Sequence, residues 1–336
     1  MHEGDILGHL APLVAIDSQN PPRATAEIAR HLESLLRPSF VVEVRDLGEG
    51  AIWIYAWRGN PKILFNFHVD TVPAAPGWSS EPLSLRLADG CAYGLGACDT
   101  KGAAAAMLAV VLSSNVDVAL LFTTDEEAGQ ARCVHDFVER QPPFDLVVVA
   151  EPTSCKAVLA HRGVATATIA FHGRAAHSSS AESESATHAL ARWVVAAEAA
   201  AGPHARFNVG TVTGGVKPNV VAAEAEARFG IRPPPQQDPK MVLDELAALA
   251  PNATMTRGFY GPPLRERAAA RAFAEANGLD IGDPVDFWTE AALFAGAGYP
   301  ALVLGAGSIA QAHGPDEYVS ISDLATLAAA YARILK

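Results

Sequence analysis

The sequence is short of basic residues, and this shortage excludes two classes of partner. Its 336 residues include 25 Lys and Arg against 37 Asp and Glu, which gives a formal net charge of −12 at pH 7. Nucleic acids and anionic membranes attract basic surfaces. We therefore expect neither of them to be the main partner. A small-molecule substrate is compatible with this charge, because a local site can differ in sign from the whole protein.

Paired cysteines and long apolar runs are also missing. The four cysteines form no C-x-x-C pair, so we expect no disulfide framework and a reducing compartment. The longest apolar run, residues 103–112, is about half as long as a membrane span. Acidic residues stand near the N-terminus, where an export signal has basic ones. We therefore predict a soluble, cytoplasmic protein.

Apolar material, in contrast, is abundant. Half of the residues are hydrophobic and 18% are charged, which is typical of a globular protein with a large core, and the length suggests about two domains. Apolar runs that predict strands alternate with segments of helical spacing. This alternation is typical of an α/β fold with a sheet buried on both faces. The predicted strands cover 52–57, 62–69, 118–124, 145–150 and 300–304, and the predicted helices cover 3–16, 24–36, 101–113, 265–277 and 321–335.

The middle of the chain follows a different pattern. Residues 165–172 alternate, and residues 220–231 place apolar side chains on one face and Glu224, Glu226 and Arg228 on the other. This pattern indicates a sheet with one face in water, which is usually antiparallel. Helices near 183–201 and 238–250 would cover the dry face. We predict a smaller α+β domain, residues 164–262, inserted into a larger α/β domain formed by residues 1–163 and 263–336.

Side chains typical of metal ligands follow four of the predicted strands. His68 and Asp70 end one strand, the run 125–127 (DEE) follows another, and Glu151 and His313 follow two more. Each has an ordinary explanation by itself, as a solvated turn, a strand end or a loop histidine. Ligands of open α/β sheets bind beyond the carboxyl ends of the strands. Four such ends therefore predict one site.

A fifth segment, GLGACDTKGA (94–103), places Asp99 in a glycine-flanked turn that leads into a helix. Taken alone, Asp99 is as well explained as the N-cap of that helix. The order HxD, GxGxxDxKG, DEE, EP and a late histidine has no ordinary explanation as a whole. We therefore include Asp99 in the predicted site.

This order of motifs resembles the M20 family of metallopeptidases and amidohydrolases, over essentially the whole chain. The resemblance implies a zinc-peptidase-like, mostly parallel sheet sandwiched by helices, with the inserted α+β domain serving as a lid and dimerisation domain. The segments that carry it are NPPR (20–23), FNFHVDTVP (65–73), GLGACDTKGAAAA (94–106), DEEA (125–128), VAEPT (149–153), AHRG (160–163) and DFWTEAALF (286–294).

The resemblance also implies two Zn²⁺ ions, which Co²⁺ could replace, with five ligands: His68, Asp99, Glu127, Glu151 and His313. His68 and Glu151 would hold one ion, Glu127 and His313 the other, and Asp99 would bridge them. A carboxylate suits this role because its two oxygens can serve two metals about 3.5–4 Å apart. The family also has a cis peptide after the bridging aspartate, here between Asp99 and Thr100.

Further roles follow from the same resemblance. Asp70 would hold the second ring nitrogen of His68, and Glu126 would be the general base. His177, in GRAAHSS (173–179), would donate to the developing oxyanion from the neighbouring subunit of a homodimer. It would otherwise be a buried histidine at a strand end.

The resemblance assigns the α-carboxylate of the substrate to a clamp of two residues. Asn219, in TGGVKPN (213–219), and Arg232 would form it, since an arginine fork pairs both carboxylate oxygens. Arg232 could instead be an ordinary surface charge.

The chain departs from the family at FWTE (287–290). Many relatives carry a GTSD-like stretch there, so Glu290 could replace that acidic residue, although its role stays open. Phe287 and Trp288 could shape the pocket for the substrate side chain. An aromatic pair is more often part of a core.

The resemblance implies hydrolysis of the amide of N-acetyl-L-citrulline to L-citrulline and acetate, in arginine biosynthesis. N-acetyl-L-ornithine is the alternative substrate, and a dipeptidase or aminoacylase of the same architecture is a third option. From another class, a non-catalytic binding protein with this fold is disfavoured, because no predicted ligand or base is missing.

Overall fold

A computed structural model describes residues 3–180 and 183–336, so that the four residues 1–2 and 181–182 lie outside the described part. The chain divides into two compact units. The first contains residues 1–159, 266–284 and 289–336, and the second contains residues 160–265 and 285–288. Among the described residues, no helix is both long and apolar enough to cross a membrane.

The elements occur in the following chain order. The helices are α1 Glu3–Ala15, α2 Ala26–Leu36, α3 Lys101–Leu112, α4 Arg132–Glu139, α5 Ala186–Ala201, α6 Pro239–Ala248, α7 Ala268–Ala276, α8 Ala291–Gly296 and α9 Ile321–Ile334. The strands are β1 Val41–Asp46, β2 Ile52–Arg58, β3 Ile63–His68, β4 Arg86–Ala88, β5 Cys91–Tyr93, β6 Val118–Thr123, β7 Leu146–Val149, β8 Val164–His172, β9 Asn208–Gly214, β10 Glu224–Ile231, β11 Thr254–Gly261, β12 Ala301–Val303 and β13 Tyr318–Ser320.

The first unit is built on a six-stranded sheet in the order β1-β2-β6-β3-β7-β12. Strands β6, β3, β7 and β12 are mutually parallel, whereas β2 is antiparallel to both of its neighbours. Every residue of β6 and β7 is buried, because helices cover both faces. Side chains of α1, α2, α3, α7 and α9 pack on one face. On the other face, Phe137 of α4 lies edge-on to the ring of Trp53.

Within this unit the helices α1, α2, α3, α7 and α9 and the strands β2, β3, β6, β7 and β12 lie where the sequence predicts them. The predicted α/β class with a mostly parallel, buried sheet is confirmed. Strand β1 and helices α4 and α8 were not predicted. Strand β1 is an edge strand with a largely exposed pattern, and α4 is only eight residues long. Strand β1 lacks the long apolar run that made the other strands recognisable. Helix α4 was missed although its buried residues Cys133, Val134 and Phe137 have helical spacing.

A small three-stranded sheet, in the order β13-β5-β4, lies beside the turn that carries Asp99. Its strands are three residues long, which is too short for a sequence pattern. Strand β5 ends at Tyr93, directly before the turn, and pairs with β13, so that Tyr318 faces Tyr93. This sheet therefore ties the chain after His313 to the chain before Asp99.

The second unit is an antiparallel four-stranded sheet in the order β11-β8-β10-β9. The alternation predicted for the third strand is present: Ala225, Ala227, Phe229 and Ile231 are buried, and Glu224 and Arg228 are exposed. Helices α5 and α6 cover the dry face, where Trp193 and Leu246 join the core. The outer strands β9 and β11 were not predicted. Their mostly exposed residues give no clear alternation.

Candidate metal centre

Four of the five predicted metal ligands lie at the carboxyl ends of adjacent parallel strands. His68 is the last residue of β3, and Glu151 comes two residues after β7. Glu127 follows β6, and His313 lies in the segment after β12. Because β6, β3, β7 and β12 are neighbours and run in the same direction, their carboxyl ends meet at one edge of the sheet.

Asp99 reaches this edge from the turn before α3, and its two carboxylate oxygens contact two different histidines. Oδ1 lies 2.8 Å from Nε2 of His68, and Oδ2 lies 3.3 Å from Nε2 of His313. Each histidine also approaches a glutamate. Nε2 of His313 is 2.9 Å from Oε1 of Glu127, and Nε2 of His68 is 3.7 Å from Oε1 of Glu151. The peptide between Asp99 and Thr100 is cis, as the resemblance implied.

These contacts form two clusters that share Asp99. His68, Asp99 and Glu151 make one, and Asp99, Glu127 and His313 make the other, with the donor atoms of each cluster within 4.8 Å of one another. Imidazole nitrogen and carboxylate oxygen are ligands that zinc accepts. A third group, His68 with Glu126 and Glu127, satisfies the same distance limit. The donor set therefore fits a pair of divalent ions.

The electrostatics of the clusters agree with that fit. Burial raises the pKa of the Glu151 and Glu126 carboxyl groups well above the ordinary value, and carboxylates nearby raise it further. Hydrogen bonds to Asp99 and Glu127 raise the pKa of His313 to about 10. Burial opposes ionisation of Asp99, yet its hydrogen bonds with His313 and His68 lower its pKa. Positive charge stabilises the ionised form of buried carboxylates that lie this close together, and divalent ions supply such charge.

Asp70 joins the ligand His68 to the loop that carries Glu127. Its Oδ2 accepts a hydrogen bond of 3.1 Å from the backbone N–H of Glu127. Its Oδ1 lies 3.6 Å from Nδ1 of His68, whereas its backbone carbonyl oxygen lies 3.2 Å from the same nitrogen. The predicted carboxylate contact to His68 is thus longer than the main-chain contact. The main-chain carbonyl oxygen of Asp70 is thus the closer partner of the second ring nitrogen of His68, and it orients the imidazole ring.

The run Asp125–Glu126–Glu127 gives each acid a different environment. The carboxylate of Asp125 accepts hydrogen bonds from the backbone N–H groups of Arg132 and Cys133, and so closes the turn before α4. Glu127 points to His313. Glu126 belongs to the cluster with His68 and has a raised pKa, which suits a group that must accept a proton.

Two buried glutamates near the centre were not assigned a role from the sequence. Oε2 of Glu290 accepts hydrogen bonds of 2.6 Å from Nδ2 of Asn66 and 3.0 Å from Oγ1 of Thr123. Burial, followed by repulsion from Asp125, raises the pKa of Glu290 to about 8. Glu317 is 2% exposed and accepts hydrogen bonds from the turn that carries Asp99. An isolated acid in a loop carries no sequence signal that separates a buried anchor from a solvated charge.

His177 and Asn219 lie close together in the second unit. The backbone N–H of Ser178 donates to the carbonyl oxygen of Asn219 at 3.1 Å, and His177 forms a bridge with Val220. Nδ1 of His177 is 2.7 Å from Oγ of Ser179. Both predicted residues are exposed, so the alternative of a buried histidine at this position is wrong.

Arg232 lies at the other end of β10. Asn219 precedes this strand and Arg232 follows it, and eight residues of extended chain span about 23 Å. The structure therefore does not bring Asn219 and Arg232 of one chain together in a clamp for one small carboxylate. Arg232 lines a 520 Å³ cavity of the second unit together with three further arginines, Arg206, Arg228 and Arg257.

Trp288 belongs to the core of the second unit. It is 9% exposed, and its ring lies edge-on to those of Phe259 and His161. Its Nε1 donates to the carbonyl oxygen of Pro262 at 3.0 Å. Of the two alternatives for this residue, core packing agrees with the structure. Phe287 is half-buried.

A mostly parallel sheet whose carboxyl edge holds histidine and carboxylate clusters able to bind metal ions indicates a class of protein, the metal-dependent hydrolases. The sequence profile of peptidase family M20/M25/M40 matches residues 64–336. The chain belongs to this family.

Individual relatives agree with this assignment. The chain is 46% identical to the N-acetyl-L-citrulline deacetylase of Xanthomonas campestris pv. campestris, over 95% of this chain and 94% of that protein. It is 30% identical to an acetylornithine deacetylase of Aliivibrio fischeri, over 84% and 83%. Aminopeptidase PepT from Bacillus cereus, at 19% identity, covers 100% of this chain and 98% of its own with a TM-score of 0.82. An M20 family metallo-carboxypeptidase from Sulfolobus solfataricus, at 17% identity, has a TM-score of 0.77 over 98% of both chains. These two structures show the fold alone.

Proposed function

We propose that this chain is a dinuclear metal-dependent deacetylase that hydrolyses the amide of N-acetyl-L-citrulline to L-citrulline and acetate. The observation that carries the proposal is the position of Asp99, whose two oxygens contact the histidines of two separate clusters. The 46% identity to an N-acetyl-L-citrulline deacetylase supports the choice of substrate. Such a deacetylation would serve arginine biosynthesis.

Five residues would hold the metal ions, proposed to be two Zn²⁺. The ligands would be His68 and Glu151 for one ion and Glu127 and His313 for the other, with Asp99 between them. When bound, the ions polarise the acyl carbonyl and make water a stronger acid. Asp70 would keep His68 and the Glu127 loop in place through its backbone and carboxylate contacts.

Glu126 would move the proton. It stands next to the ligand Glu127, in the cluster with His68. Its carboxylate would take a proton from the attacking water and give it to the amine that leaves, since a carboxyl group whose pKa is raised by burial holds the proton between the two steps. The raised pKa of Glu126 supports this role.

The second unit would bind the polar groups of the substrate. Arg232 would pair with the α-carboxylate, since an arginine fork matches both oxygens. The three other arginines of its cavity already pair with carboxylates of the chain, Asp286, Glu226 and Asp244. His177 would donate a hydrogen bond to the oxyanion, with Asn219 beside it. Because the length of β10 separates Arg232 from His177 and Asn219, we propose a homodimer in which one chain supplies Arg232 and its partner supplies the other two.

N-acetyl-L-ornithine is the second candidate substrate, because acetylornithine deacetylases are 30% identical to the chain over most of its length. The two substrates differ at the end of the side chain, which is a neutral ureido group in one and an ammonium in the other. A carboxylate in the pocket would favour the ammonium.

The experiment is a side-by-side measurement of acetate release from both substrates. We expect kcat/KM to be higher for N-acetyl-L-citrulline, and a chelator should abolish the activity until Zn²⁺ or Co²⁺ is restored. A higher kcat/KM for N-acetyl-L-ornithine would reverse the order of the substrates. Metal-loaded protein that binds two equivalents yet releases no acetate from either would contradict the deacetylase proposal and leave the metal centre standing.

A further inference from the structure

Glu317 is a buried carboxylate directed into the turn that carries Asp99. Its side chain accepts three backbone hydrogen bonds from that turn. Oε1 accepts from the N–H groups of Cys98 and Asp99 at 2.9 and 3.0 Å, and Oε2 accepts from that of Gly96 at 3.0 Å. The carboxylate thus fixes the main chain of the turn up to Asp99 itself.

The same residue also joins this turn to the segment that carries His313. The backbone carbonyl oxygen of Glu317 accepts from the N–H of Gly94 at 3.0 Å, and His313 precedes Glu317 by four residues. The contact between Asp99 and His313, 3.3 Å from Oδ2 to Nε2, therefore depends on the pairing of two separate segments. Glu317 accepts four hydrogen bonds between these two segments, three through its carboxylate and one through its backbone carbonyl oxygen.

The other partner of Asp99 is held independently. Oγ1 of Thr100, the residue after Asp99, donates to the carbonyl oxygen of His68 at 2.8 Å. This bond ties the turn to the end of β3 without Glu317. Loss of Glu317 would therefore disturb the cluster with His313 more than the cluster with His68 and Glu151.

The turn has little room to adjust by itself. Gly96 has φ +79, and a Cβ at this position would lie 2.7 Å from Cγ2 of Thr71 and 2.9 Å from Cδ of Lys101. Three N–H donors converge on two carboxylate oxygens, which can accept all three. A glutamine would turn its amide N–H₂ group towards at least one of these donors and leave that N–H unsatisfied.

We propose that Glu317 is a positioning residue of the metal centre: it fixes Asp99 against His313 and so sets the affinity of the Asp99, Glu127 and His313 cluster for its ion. The proposal rests on the dinuclear centre proposed above and not on the identity of the substrate. It concerns ion binding, which can be measured without turnover.

The test is a titration of metal-free Glu317→Gln protein with Zn²⁺, compared with the native chain by calorimetry. We expect one equivalent to bind with nearly native affinity and the other to bind at least about tenfold more weakly, since partners of metal ligands typically contribute 10–100-fold. Asp316→Asn is the matched control. Asp316 is the neighbouring carboxylate, and its Oδ1 accepts from the backbone N–H of Ser79 instead of the turn. This control should bind both equivalents normally.

Three results would overturn the proposal. They are native affinity for both equivalents in Glu317→Gln, equal weakening of both equivalents, and the same loss in Asp316→Asn. A native chain that binds no second equivalent would instead contradict the dinuclear centre itself. If Glu317→Gln does not fold, hydrogen exchange of the metal-free native chain decides: the amides of Gly96, Cys98 and Asp99 should be protected, and free exchange there would overturn the proposal.

Discussion

In the first unit, five candidate ligands from five chain segments form two clusters that share Asp99 at one sheet edge, and His68, Asp99 and Glu151 are at most 5% exposed. In the second unit, the three candidate residues are exposed and are divided between the two ends of β10. Parallel strands collect their carboxyl ends at one edge, whereas an antiparallel strand separates the residues before and after it by its full length. The first arrangement can form a site within one chain, whereas the second does not bring its three residues together within one chain.

The largest expected effect tests the centre in the first unit. Glu126→Gln should lower kcat by about 10²–10⁴-fold, the usual contribution of a general base, while the ligands still hold two equivalents of metal. Steady-state kinetics and metal analysis measure both quantities. Glu275→Gln, at a glutamate with a 61% exposed side chain, is the control and should match the native chain. Unchanged kcat in Glu126→Gln would remove Glu126 from the chemistry.

The next largest effect tests whether His177 and Arg232 of one site come from two different chains. His177→Ala and Arg232→Ala should each lower kcat/KM strongly as homodimers and leave the metal content unchanged. A purified heterodimer with one chain of each kind should recover roughly half of the native activity, because one of its two sites then has both residues. The matched control is a heterodimer of the native chain with a chain that carries both His177→Ala and Arg232→Ala, which should be inactive because each of its two sites then lacks one of the two residues. A heterodimer no more active than its parents would place both residues in one chain.

The smallest expected effect concerns the buried carboxyl group of Glu290 and the pH dependence of the free energy of unfolding. The folded-state pKa of Glu290 is raised to about 8, above its unfolded value of about 4.3. The folded protein thus holds a proton that the unfolded chain releases between these values, and this group lowers the free energy of unfolding as the pH rises from 5 to 8. Glu290→Gln cannot titrate. In metal-free protein, we expect the native chain to lose stability relative to this variant by a few kcal/mol, to order of magnitude, over that range.

Urea denaturation of both proteins at pH 5 and pH 8 measures this difference in the free energy of unfolding. The contributions of groups that titrate alike in both proteins cancel in the comparison. The variant keeps an amide oxygen for Asn66 and Thr123, but its N–H₂ group would occupy the place of Oε1, which is buried and has no hydrogen-bond partner among the described residues. A difference in the free energy of unfolding that does not depend on pH is therefore expected as well. A stability difference that is the same at both pH values would contradict the raised pKa.

The sequence by itself determined the chemistry of the first unit and the order of its main elements. Continuous apolar runs such as 118–124 and 145–150, which alternate with segments of helical spacing, predicted strands buried on both faces, and residues placed after parallel strands meet at one edge. For the same reason, His68, Glu151 and His313 could be assigned to one centre before any distance was known. Strand β10 was recognisable because its alternation separates a wet face from a dry one.

Only the tertiary structure decided which acidic side chains are buried and which candidate residues of the second unit lie at the same end of β10. Glu317 and Asp316 are neighbours in the sequence, yet one is buried against the turn of Asp99 and the other contacts Ser79. Likewise, Trp288 is committed to the core by contacts with Phe259 and His161. The physical reason is that burial and hydrogen bonding of a single side chain depend on segments distant in the sequence, and a local pattern carries no information about them.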